Sequence, residues 1–348
     1  MRVGTSAKDP TPLRATPEAT EATARPGGGG AERRSAALLA VLNRYGVLFA
    51  LLGLVVVFSI LLPQTFFTLG NFSTILSSQA ILLILALGLI LPLSTGEFDL
   101  SIGSVLGFAA VLMAFFSGMA GLSPLVAAAA TLAVGLVVGF VNGLFVVRFG
   151  VNAFIVTLGT STILTGLTLA VSGGQIVNLS YTALQNLSSY QVAGLPVPVY
   201  VALLAAVVLW YLFQHTPYGR HLFFVGEGRE VARLAGLPVD RLRWGTFLAS
   251  AFLSSIAGIL AVGQLGAADP AMGASYLLPA FAAAFLGATT IQPGRFNAWG
   301  TVVAAYLLIT GVTGLELLGA SSWAEQVFNG AALVAAVTIA RFGAREAR

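Results

Sequence analysis

The chain alternates long apolar runs with short polar breaks from about residue 45 to its end. The runs fall at 45–62, 72–93, 100–119, 122–147, 153–171, 198–213, 244–264, 276–290, 298–318 and 323–340. A helix rises 1.5 Å per residue, so crossing a bilayer takes about 20 apolar residues. The pattern therefore predicts an all-α protein, a polytopic transmembrane helix bundle of about ten spans. The runs at 198–213 and 276–290 are short and would borrow residues from their neighbours. Residues 1–35 show no apolar periodicity. They are rich in Ala, Thr, Pro and Gly, close with Gly27-Gly28-Gly29-Gly30, and read as a disordered cytoplasmic tail. Residues 36–348 then form the membrane domain. The first apolar run starts too late and is too long for a secretory signal.

Charge gives the runs a direction. With the N-terminus in the cytoplasm, the inside segments are the tail, 94–99, 148–152, 214–243, 291–297 and the C-terminal end. All 17 Lys and Arg fall in them, including Arg148, Arg220, Arg229, Arg233, Arg241, Arg243 and Arg295. Basic residues concentrate on the cytoplasmic side of membrane proteins, which predicts N-in, C-in and an even number of spans. Trp210, Trp244, Trp299 and Trp323 lie at run ends, where an amphipathic ring favours the headgroup layer.

Composition narrows the function. The sequence is 57% hydrophobic and 9% charged, with mean hydropathy +0.92, against about 25% charged for soluble domains. It has no cysteine and two histidines, His215 and His221, which speaks against thiolate or imidazole metal sites. The net charge of +4 does not point to nucleic acid, because the basic residues flank apolar runs rather than form a patch.

Few polar side chains fall inside the runs. Ion-coupled carriers keep carboxylates near mid-bilayer; here Glu316 alone lies well inside a run, near its outer end, while Glu97 and Asp99 sit at the junction of the second and third. Asp99 reads as a helix cap or a pathway residue, and Glu316 as a snorkelling surface acid or a mouth residue. Gly135, Gly139 and Gly143 form a smooth stripe for close helix packing. Asn142, Gln79, Thr157, Thr160 and Ser161 are candidates for a pathway or for hydrogen bonds between helices. With Asp99, Ser101 and Glu316, the residues Asn142, Thr157 and Thr160 make up the candidate translocation pathway.

The longest break, 214–243, carries its own signals. Glu227 and Glu230 suit a helix start near residue 228, and Gly236 and Pro238 stop it near 235. Val231, Leu234 and Ala235 share a face. A two-turn helix does not hold itself together in water, so this one either docks on another protein or is a solvated connector. No Gly-x-x-x-x-Gly-Lys-Ser/Thr is present, and the one lysine is Lys8. Any ATP that drives this protein is hydrolysed on another chain.

Residues from about 71 to 341 resemble the permease subunit of ribose- or xylose-type ABC sugar importers, within the wider group that includes branched-chain amino acid permeases. The resemblance rests on Gly96-Glu-Phe-Asp-Leu-Ser-Ile-Gly-Ser104, Gly139-Phe-Val-Asn-Gly143, Phe154-Ile-Val-Thr-Leu-Gly159 and Thr216-Pro-Tyr-Gly-Arg220. It continues through Gly226, Glu230-Val-Ala-Arg-Leu-Ala-Gly-Leu237, Ala282-Ala-Ala-Phe-Leu-Gly287 and Pro293-Gly-Arg-Phe-Asn-Ala-Trp-Gly-Thr301. It implies a membrane dimer with a second copy or paralogue, two ATP-binding subunits inside, and a solute-binding protein outside. It also implies that 214–243 is the ATPase-coupling loop, through Gly219, Arg220, Gly226, Glu230, Ala232, Arg233, Leu234 and Gly236. No cofactor would then be bound by this chain, and ATP and Mg would sit on the partner. The chain departs from the sugar-permease pattern at Leu277 and Pro279, where acids are usual, at Thr313-Gly-Leu-Glu316, and at Pro293-Gly294. These mark a divergent branch, for which a sugar is the first expectation, with a polyol, a sugar-derived signal or another small polar solute behind it. A self-contained secondary carrier or channel is the alternative. A membrane-embedded enzyme is disfavoured, since no catalytic constellation lies in the runs.

Overall fold

The computed structural model describes residues 29–119, 122–321 and 323–346. The expected tail at 1–28 lies outside the described residues, and residues 29–35 open the first helix. The chain divides into two units, 1–39 and 40–348, and the second holds the packed core.

The fold is a helix bundle. Its elements are α1 (Gly29–Leu61), α2 (Leu69–Ser78), α3 (Ala80–Ser94), α4 (Ile102–Ser117), α5 (Pro124–Gly143), α6 (Ala153–Ser172), α7 (Thr182–Ser189), α8 (Val197–His215), α9 (Pro217–Glu227), α10 (Arg229–Leu234), α11 (Val239–Leu265), α12 (Met272–Gly287), α13 (Ala298–Leu317) and α14 (Trp323–Glu346). A π turn, Leu144–Arg148, extends α5. Two short antiparallel pairs lie in the connections. Strand β1 (Val177–Asn178) pairs β4 (Ala267–Ala268), and β2 (Gln191–Val192) pairs β3 (Leu195–Pro196). Seven helical stretches among the described residues are long and apolar enough to cross a membrane, with α4 and α12 shorter apolar helices beside them.

Helix α11 is the axis of the packing, flanked by α3, α4 and α5. All fifteen residues of α3 are buried, as expected of a helix apolar all round. Helix α5 buries one stripe, Ala127, Thr131, Gly135, Gly139, Asn142 and Gly143, at mostly four-residue spacing. Its other faces expose apolar side chains such as Leu125 and Val137. Only lipid suits that combination of a buried small-residue seam and exposed aliphatic groups. The glycine stripe meets α11: a Cβ at Gly135 would strike Ser255, at Gly139 the Phe247 carbonyl, and at Gly143 the Trp244 ring. Contact this close lets backbone dispersion hold the helices, since apolar burial adds nothing inside lipid.

The run at 72–93 is not one helix. It breaks at Gln79, which ends α2 and precedes α3 with φ −92° and ψ −4°. Neither Gly nor Pro marks this point in the sequence. The 214–243 break contains α9 as well as the expected short helix, now α10. Thr216 caps α9 by accepting from the Gly219 amide at 3.2 Å, and Pro217 fills its first position.

Candidate functional site

The site is built where the connector 95–101, between α3 and α4, meets α10 and the start of α11. Glu97 is 4% exposed. Its Oε1 accepts from Arg243 Nε at 2.7 Å and lies 2.6 Å from Arg243 Nη2. Arg229 Nη2 approaches the same oxygen at 2.7 Å and donates to the Thr95 carbonyl at 3.4 Å. Arg243 is itself buried, whereas the Arg229 side chain is 40% exposed. One buried carboxylate thus ties α10 to α11 and to the connector. A buried carboxylate is tolerated only when paired and hydrogen-bonded, and here two guanidiniums meet that requirement.

Two residues on, Asp99 begins a second network. Its Oδ1 accepts from the Ser101 amide at 3.0 Å and from Ser101 Oγ at 2.6 Å. Its Oδ2 accepts from Ser250 Oγ of α11 at 3.0 Å. Burial pushes the Asp99 carboxyl up from its ordinary value, against the lowering effect of the hydrogen bonds from Ser101 and Ser250. Asn142 of α5 donates to Ser101 Oγ at 2.9 Å and accepts from Thr160 Oγ1 of α6 at 2.7 Å. Thr157 Oγ1 accepts from the Leu100 amide and bonds the Phe98 and Ala153 carbonyls, and Ser104 bonds Ser161.

Five of the six candidate pathway residues, Asp99, Ser101, Asn142, Thr157 and Thr160, therefore belong to one hydrogen-bonded cluster joining α4, α5, α6 and α11. Asp99, Ser101, Asn142 and Thr160 bond one another in series, Ser250 takes the second Asp99 oxygen, and Thr157 joins through the connector backbone at Phe98 and Leu100. Asp99 braces the approach to α4 rather than capping its first turn, since Ser101 is the residue before Ile102. The sixth, Glu316, is exposed on the last turn of α13. That helix starts beside the Arg295 segment, at the opposite end of the bundle from Glu316.

Helix α10 stands beyond the cluster. Ala232 is fully buried, while Val231 is 60% and Leu234 89% exposed. The helix closes with Leu237 N bonding the Ala232 carbonyl at 3.0 Å and Gly236 N the Arg233 carbonyl at 2.9 Å, Gly236 having φ +80°. This doubly bonded stop needs a left-handed residue, which Gly supplies. Arg233 pairs with Asp240 at 2.6 Å, and Glu230 is exposed. Gly226, in the last turn of α9, comes so close to the Ser94 carbonyl of α3 that a Cβ would collide, and Gly219 does the same against the α8 backbone. Arg220, exposed, lines a recess of about 500 Å³ with Glu227, Gln292 and Arg295.

The family described as the permease component of branched-chain amino acid transport systems matches residues 71–337. The chain belongs to this family. Among its relatives, the ribose import permease protein RbsC of Escherichia coli (strain K12) is 34% identical over 84% of this chain and 92% of its own length. The D-allose transport system permease protein AlsC of the same strain is 29% identical, covering 86% and 92%. The autoinducer 2 import system permease protein LsrD of Yersinia pseudotuberculosis serotype O:3 (strain YPIII) is 31% identical, covering 73% and 78%. No solved structure matches the chain.

The permease is thus a multi-pass membrane protein and a transport subunit, not an enzyme. Sequence reasoning missed two parts of its site. The Glu97 pairing crosses 146 positions to Arg243, although both residues carried charge at the edges of apolar runs. Ser250 gave no signal, since serine is common in membrane helices and hydrogen-bonds its own backbone there as readily as a neighbour.

Proposed function

We propose that the chain is the membrane-spanning permease subunit of an ATP-driven importer that moves a sugar or similar small polar solute inward across the cytoplasmic membrane. The solute class follows the names of its relatives. Counting α2 with α3 as one crossing, α1, α2–α3, α4, α5, α6, α8, α11, α12, α13 and α14 give ten spans. Both termini are then cytoplasmic, and Arg44, Arg148, Arg229, Arg243 and Arg295 share the inner end. A second copy or paralogue, two ATP-binding subunits and an external solute-binding protein complete the assembly. ATP and Mg bind the partner.

One observation carries this reading: a six-residue helix presents Leu234 and Val231 to the outside while its other side is locked to the bundle through Arg229 and Glu97. Six residues do not sustain a helix alone, and an exposed Leu at its end marks a contact surface. A push on α10 reaches Glu97, then the connector, then the Asp99 cluster that joins α4, α5, α6 and α11. Helices around a pathway reorient together in this way when the ATPases close. The cluster is the joint of the machine, with its polar atoms turned on one another rather than on solute. Co-expression of the chain with its ATPase tests the reading. A stable complex that Leu234→Asp dissolves is expected, and a complex indifferent to that change would overturn the role of α10.

A further inference from the structure

A second polar region lies apart from the coupling cluster, where α2 gives way to α3 and faces α12, α13 and α14. It is a recess of about 360 Å³, within the roughly 300–1,000 Å³ typical of small-molecule sites. Gln79, Ser275, Tyr276, Pro279, Glu325 and Asn329 line it. Gln79 Oε1 is buried there without a hydrogen-bond partner among the described residues. A buried amide oxygen left unpaired costs about 1–3 kcal/mol, so one that persists marks a place where something else supplies the donor.

The helical hydrogen bonding is interrupted on one side of this recess and weakened on the other. The α2–α3 stretch is 26 residues long and breaks at Gln79 inside its apolar length, with no side-chain cap. Opposite it, Pro279 stands inside α12 and removes the amide that would bond the Ser275 carbonyl one turn earlier. A broken helix and a proline-bearing one that face one polar cavity at membrane depth are tolerated where they line a pathway or bind a solute. The groups offered are two amides, a phenol, the hydroxyls of Ser78 and Ser275, and one carboxylate. With no cationic side chain opposite, they suit a neutral molecule rich in hydroxyls, each of which donates and accepts.

We propose that this recess is the solute-binding station of the permease, taking a monosaccharide or polyol, with Gln79 and Asn329 hydrogen-bonding its hydroxyls. The assignment rests on the reading of the chain as a sugar-importer permease and adds the place where solute is held. It also separates roles: the Asp99 cluster transmits motion, and the Gln79 recess receives solute.

The cysteine-free sequence makes the test direct. Ser78→Cys puts a single thiol on the recess wall, and Gln175→Cys puts one on an exposed loop beyond α6. Both variants are alkylated with N-ethylmaleimide in membranes carrying the assembled importer, with D-ribose, D-allose, D-xylose or xylitol added, or L-leucine. A compound that the importer accumulates is expected to slow alkylation at position 78 and not at 175. Gln79→Ala and Asn329→Ala are each expected to raise the half-protecting concentration about tenfold, the loss of one hydrogen bond. Unchanged alkylation at 78 by a sugar or polyol that is accumulated would overturn the recess while leaving the importer reading intact. Protection by L-leucine alone would overturn the ligand class. An importer that accumulates none of the sugars or xylitol would overturn the proposed function itself.

Discussion

Glu97 and Arg243 form a buried ion pair with two contacts, 2.7 Å from Nε and 2.6 Å from Nη2 to a single carboxylate oxygen. Arg243 opens the central helix α11, and Glu97 sits in the connector to α4. A pair this well buried does little for net stability against an apolar substitute, yet breaking it by removing one partner is costly. Glu97→Gln leaves Arg243 buried opposite a neutral amide. The expected result is a loss of about 3–5 kcal/mol, read as a lower melting temperature in detergent. Arg229→Ala, on the exposed side of the same carboxylate, is expected to cost about 1 kcal/mol or less and instead to lower the solute moved per ATP hydrolysed. Equal melting temperatures for Glu97→Gln and wild type would show that the pair does not hold α11 to the connector.

The Asp99 cluster gives a prediction that separates a joint from a pathway. Asn142→Leu removes the donor to Ser101 Oγ and leaves Thr160 Oγ1 without its acceptor, at about 1–3 kcal/mol. Lower thermal stability is expected with the KM for solute unchanged. A shifted KM at unchanged stability would place Asn142 in contact with solute.

These two networks also show what could be read from the sequence. Most of the spans were legible because their apolar runs reach the length that lipid demands, and Gly135, Gly139 and Gly143 named their seam by spacing alone. The polar residues Asp99, Ser101, Asn142, Thr157 and Thr160 were legible as a set because lipid makes a polar side chain conspicuous. Their mutual hydrogen bonds were not, since spacing says nothing of which side chains meet across four helices. Glu316 illustrates the limit: its charge singled it out and its place in the run put it near the outer end, but only the fold shows it exposed and apart from the other five. The break at Gln79 stayed hidden because neither Gly nor Pro announces it.

The glycine seam itself is open to test. Gly139→Leu forces α5 away from the Phe247 carbonyl of α11 and is expected to abolish a stable fold. Gly159→Leu, on α6 with nothing within 4 Å of its Cβ direction, is expected to be tolerated. Solubilised yield and size-exclusion profile distinguish the two. Tolerance at both positions would contradict the packing described for α5.

For the coupling loop, Gly236→Val forces a β-branched residue into the left-handed region, about 1–2 kcal/mol of strain, and opens the stop of α10. The expected phenotype is ATP hydrolysis without transport, with membrane insertion unaffected. Arg220→Ala, in the recess shared with Glu227 and Arg295, is expected to act in the same direction. Normal transport in both variants would make 214–243 a passive connector.

Uptake into proteoliposomes tests the central claim most directly. The permease is reconstituted with and without its ATP-binding subunits and presented with solute-loaded binding protein. Uphill accumulation that requires ATP and the ATPase is the predicted result. Uphill accumulation by the permease alone on a proton or sodium gradient would contradict it.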